Sequence, residues 1–178
     1  EWFGVHLFGG QERFYARNAC LFVWPLLAAL FLWKRSWPPR RWVACAVAFA
    51  AAAALANAYP YAARSHTEVL VAIHLPIALW LAVGVVYAGG RWSTVAGRMD
   101  FVRFSGEWAI YYALMALGGA VLLALAVAVL TPIAPGAAEA VVVWVLPSGA
   151  AAAVIVAAWL VEAKKSIIEN LAPVLTAI

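Results

Sequence analysis

Apolar residues run along this chain in long blocks separated by short polar stretches, with no period-two alternation to suggest strands. The first block covers about Phe14 to Trp33, with Arg17 and Asn18 near its start and Pro25 inside it. The second, Trp42 to Tyr59, is mostly alanine, and the third, Val69 to Tyr87, holds His74 and Pro76 before closing on Gly89-Gly90. The fourth runs from Glu107 to Leu130. The fifth runs from Ala140 to Ala163 and is interrupted by "PSG", Pro147 to Gly149. Each is close to the roughly 20 residues that cross about 30 Å of hydrocarbon as a helix. Lipid admits only helices or closed barrels as spanning structures. The pattern therefore predicts an all-α integral membrane bundle of about five transmembrane helices, a single bundle over residues 1–178.

Composition and charge sharpen this picture. Hydrophobic residues make up 67% of the chain and charged ones 11%, where a soluble domain is nearer half and a quarter. The net charge of +4 raises the possibility of nucleic acid, but the basic residues sit beside apolar blocks rather than along one exposed face. A bilayer with anionic lipids at the inner face is the expected partner, and nucleic acid is not. Lys34, Arg35, Arg40 and Arg41 follow the first block, Arg91, Arg98 and Arg103 follow the third, and Lys164 and Lys165 follow the fifth. With five spans these nine of the twelve basic residues share one side, which predicts the N-terminus outside and the C-terminus inside. Trp33, Trp37, Trp42, Trp92 and Trp108 fall near that inner face as an aromatic belt. Cys20 and Cys45 are expected near opposite faces and not disulfide-bonded. The chain opens on Glu1 with no signal-peptide pattern, and reads as a piece of a longer polytopic protein.

Two polar stretches read as more than linkers. Arg91 to Arg103 places Trp92, Val95, Ala96, Met99 and Val102 on one helical face, which predicts a short interfacial helix before the fourth span. The tail repeats the pattern with Ile167, Ile168 and Leu171, with Pro173 as its stop. Helix contacts in lipid depend on close backbone approach. Small residues recur at four-residue spacing as Ala44, Ala48, Ala52 and Ala56, as Ala116, Ala120, Ala124 and Ala128, and as Gly149, Ala153 and Ala157.

Candidate chemistry is confined to two polar tiers. If Ser105 caps the fourth span, Glu107 lies in its first turn, where the helix dipole favours a carboxylate by roughly 0.3–1 kcal/mol. Glu162, with Lys165 and Ser166 beyond it, sits at a similar depth. Together these charges read as a clasp that ties spans four and five to the interfacial helix, or as the inner gate of a polar pathway. The second tier gathers Arg17, Asn18, Asn57 and His74 toward the outer face. His74 reads as a neutral hydrogen-bonding group or as a proton-handling one. The "PSG" break reads as a proline kink or as a discontinuous, transporter-type helix. No hydrolase, zinc-protease or phosphate-loop motif is present, and His6, His66 and His74 are too scattered to form a metal site. No enzyme activity, cofactor or metal is expected.

"MDFVRFSGEWAIYYALMALGG" (Met99 to Gly119) and "AAWLVEAKKSIIENLAPVLT" (Ala157 to Thr176) resemble an uncharacterised bacterial family of multi-pass inner-membrane proteins, domain of unknown function 4153. The resemblance covers Met99 to Thr176 and implies a helical bundle in the bacterial inner membrane. Arg103, Glu107, Tyr111, Tyr112, Glu162, Glu169 and Asn170 are then the polar members of the family's motifs, to which no activity is attached. The expected function is a non-enzymatic scaffold or sensory membrane module, self-associating or joined to other membrane subunits. The alternative is a component of a transporter or channel for a small solute or ion.

Overall fold

The structure is a computed structural model and describes residues 12–59 and 66–175, with side chains described at 14, 17–59 and 66–165. Every regular element among them is helical: α1 (Glu12–Lys34), α2 (Pro39–Ala58), α3 (His66–Tyr87), α4 (Val95–Ile133), α5 (Pro135–Ala140), a π-helical turn (Val141–Val145) and α6 (Leu146–Leu175). Four stretches are long and apolar enough to cross a membrane: Pro39–Ala58, His66–Tyr87, Val95–Ile133 and Pro135–Lys165. The first expected span is α1, whose 23 residues reach about 34 Å as helix. Cys20 and Cys45 are free thiols. The chain divides into two compact units, Glu1–Phe101 and Val102–Ile178.

In the first unit α1 packs chiefly on α3 and then on α2. Leu27, Ala28 and Phe31 of α1 and Val83 of α3 are fully buried. Beside them, aromatic rings meet edge to face or tilted: Trp24–Trp80 at 4.9 Å, Phe31–Tyr87 at 5.1 Å, Trp80–Phe101 at 5.6 Å and Tyr87–Phe101 at 5.9 Å. Such offset arrangements suit the ring quadrupoles. Gly84 makes room for this cluster, since a Cβ there would stand 2.5 Å from Phe101 Cε1.

The start of α1 meets the start of α3 and the end of α2, through Arg17, Glu68 and Asn57. The end of α1 meets the end of α3 through Phe31, Arg35 and Tyr87. This is the up-down-up order that alternating spans require. On α2, Phe49 and Ala56 face inward, while Ala44 and Ala48 are exposed. The inward face of α2 therefore joins Phe49 to only the second half of the expected alanine ridge, Ala52 and Ala56.

The turn after α1 is a Schellman motif, with Trp37 N–H donating to Leu32 O at 3.1 Å and Ser36 N–H to Trp33 O at 3.1 Å. Its left-handed position, usually glycine, is Ser36 at φ +50°.

Five expectations about α4 and α6 change. The short helix before the fourth span is not separate: α4 runs unbroken for 39 residues, about 58 Å, longer than the hydrocarbon is thick. Its N-terminal cap is Thr94, whose Oγ1 accepts from Gly97 N–H at 3.1 Å, and Ser105 lies more than two turns inside. No proline separates Arg91 from Gly106, so nothing in that stretch stops the helix.

"PSG" belongs to the opening turn of α6, and the irregularity precedes it as the π turn, with Leu146 N–H donating to Val141 O. A proline removes one N–H, and a wider turn lets the carbonyls ahead of it find donors one residue later. The tail continues α6 as helix to Leu175, past Pro173. Ala116, Ala120, Ala124 and Ala128 are all exposed on α4, so that ridge makes no close contact within its unit.

Candidate functional site

Polar side chains converge at one end of the first unit. Arg17 Nη1 donates to Glu68 Oε1 at 3.3 Å, and Nη2 donates to Asn57 Oδ1 at 3.1 Å. Asn18 and Asn57 exchange amide hydrogen bonds, Asn57 Nδ2 to Asn18 Oδ1 at 2.7 Å and Asn18 Nδ2 to Asn57 Oδ1 at 3.1 Å. Each asparagine also donates to its own helix four residues back, at Phe14 O and Ala53 O. The network thus ties three helices, and Asn18 is 3% exposed. Polar groups at such depth persist when they satisfy one another.

Arg17, Asn18 and Asn57 were expected at one level and are found bonded together. His74 does not join them: it is exposed on α3, its Nδ1 2.8 Å from Leu70 O. It lies more than two turns into α3, and its ring meets a carbonyl one turn back on its own helix. Glu68 is the member that the sequence reading missed. It stands in the polar link before the third block, and its only signal is an acid in the first turn of a helix.

The opposite end of this unit is basic and aromatic. The Arg35 guanidinium lies 4.5 Å from the centre of the Tyr87 ring, and that of Arg41 lies 4.8 Å from the Trp37 ring. Arg91 pairs with Asp100 at 3.2 Å. Cations over ring faces keep their charge while their stems cover apolar surface.

In the second unit, two contacts join α4 to α6. Lys164 Nζ donates to Glu107 Oε2 at 3.1 Å, and Trp108 Nε1 donates to the Val154 carbonyl at 3.1 Å. Trp108 also stacks on Tyr112 at 5.4 Å. The ion pair joins α4 to α6 directly, with no separate interfacial helix to tie in: Lys164 makes it, and Lys165 is exposed. Glu107 is not in a first turn, so its account changes from helix dipole to ion pair. Arg103 is exposed, and Tyr111 and Glu162 are half-buried. The side chains of Glu169 and Asn170 lie outside the described residues.

These features define a helical membrane protein with polar clasps between its helices. No family model, curated protein or solved structure matches the chain.

Proposed function

We propose that this chain is a non-enzymatic membrane module that scaffolds or senses through its basic end. The observation carrying the reading is the closed network of Arg17, Asn18, Asn57 and Glu68. Side chains that could line a polar pathway are engaged with one another and hold three helices in place. In this reading the N-terminus faces outward and the basic end faces the cytoplasm, against anionic lipid. The location is the bacterial inner membrane, as the resemblance of Met99–Thr176 implies. The exposed apolar face of α4, with Leu114, Leu117, Val121 and Leu125, supports contact with lipid, with a second copy or with other membrane subunits.

A transporter or channel component for a small solute or ion is the second reading, favoured by the π turn ahead of Pro147, since such turns gather at functional sites. Water access separates the two. In a background lacking Cys20 and Cys45, His74→Cys is probed in membranes with an impermeant thiol reagent from each side. The module reading expects no labelling from the cytoplasmic side. Labelling from both sides means a wet pathway and replaces it with transport.

A further inference from the structure

The turn after α1 and the turn after α3 enclose an open cleft of about 250 Å³, lined by Arg35, Ser36, Trp37, Pro38 and Gly89. Four features in and beside its wall point to an anion. Lys34, Arg35, Arg40 and Arg41 fall within eight residues that contain no acid. Two of the lining side chains hold buried donors without a hydrogen-bond acceptor, Arg35 Nε and Trp37 Nε1. A serine occupies a left-handed position that glycine would fill without strain, which keeps a hydroxyl at the rim. Gly89, at φ +64°, lets the second turn approach until Arg35 Nη1 stands 3.4 Å from where a Cβ would be.

Arg35 is also held in place, with its guanidinium on Tyr87 and its backbone N–H donating to Phe31 O at 3.0 Å. A planar guanidinium fixed in this way matches the oxygens of a phosphate. The indole N–H of Trp37 and the hydroxyl of Ser36 donate to the same kind of acceptor.

The level of the cleft selects the source of that phosphate. Trp33 and Trp42, at the end of α1 and the start of α2, are 71% and 38% exposed, as rings at a headgroup boundary are. We propose that this cleft binds the phosphodiester of an anionic glycerophospholipid headgroup, with Arg35 and Trp37 as its donors and Ser36 as a third. The proposal rests on the reading that this end of the bundle faces anionic lipid, and narrows it from a diffuse charge to one discrete site.

The test uses the full chain in mixed micelles of phosphatidylcholine and phosphatidylglycerol, with bound lipid counted by native mass spectrometry. The expected result is one retained phosphatidylglycerol per chain. Arg35→Gln weakens its binding about tenfold, the loss of a charged hydrogen bond. Trp37→Phe, which keeps the ring under Arg41 and removes only the N–H, weakens it several-fold. Arg98→Gln, on an exposed turn of α4, leaves it unchanged.

Equal losses from Arg98→Gln and Arg35→Gln would mean a diffuse basic field and overturn the site. Displacement of the lipid by an equal concentration of inorganic phosphate would overturn the lipid as ligand. Preference for phosphatidylglycerol surviving intact in both Arg35→Gln and Trp37→Phe refutes the cleft alone. No preference over phosphatidylcholine in the wild type removes the anionic-lipid reading itself.

Discussion

Arg17 and Glu68 form an ion pair at 3.3 Å, with side chains 13% and 16% exposed, at the level where three helices meet. Breaking one partner of such a pair leaves a buried charge uncompensated. Glu68→Ala is therefore expected to destabilise the first unit by about 3–5 kcal/mol, measured by unfolding in detergent. The double variant Arg17→Met with Glu68→Leu is expected to lose less than the sum of its single variants, because no charge remains buried. Additive losses would mean that the two groups do not act as a pair.

Gly84→Ala places a methyl against the Phe101 ring, which also contacts Trp80 and Tyr87. Overpacking of this kind costs about 1–3 kcal/mol. Phe101→Leu in the same chain is expected to recover part of the loss, and thermal unfolding of the two variants decides it.

Ser36 sits in the left-handed region without glycine's freedom. Ser36→Gly is expected to raise stability by roughly 1 kcal/mol, the cost of a left-handed conformation for a residue with a Cβ. A drop in stability would show that the hydroxyl makes a contact worth more than that strain.

Between α4 and α6, the hydrogen bond from Trp108 should outweigh the ion pair from Lys164. Lys164 and Glu107 are 46% and 33% exposed, so Lys164→Ala is expected to cost about 0.2–1 kcal/mol and to cost less in high salt. Trp108→Ala removes a half-buried ring and its N–H bond to Val154 O, and is expected to cost about 3–5 kcal/mol. Comparable losses would place the clasp in the charges.

Thr94→Ala is expected to cost about 0.5–2 kcal/mol and to fray the start of α4, while Thr94→Ser retains the cap. Hydrogen exchange at Gly97 reads this directly.

Much of the candidate site was legible in the chain. Arg17, Asn18 and Asn57 stand near the ends of apolar blocks, and alternating spans bring those ends to one level. Glu68 was hidden because its helix begins at His66, three residues before the apolar block that marked it. The choice of Lys164 over Lys165 was hidden for a similar reason. Adjacent residues on a helix point about 100° apart, and only the position of Glu107 decides which of them faces it. The extent of α4 was concealed by a change of composition at Glu107, where the helix continues although its polarity changes.

Hydropathy and span length are sums over local residues, and they are enough to determine a helical membrane protein, its approximate spans and its basic turns. Partners across helices are properties of rotation and distance, which such sums do not contain. Only the tertiary structure decided that Phe49 turns inward on α2 beside Ala56 while Ala44 and Ala48 stay exposed, that Glu68 closes the polar network, that His74 stays outside it, and that two turns fold together around Arg35 and Trp37.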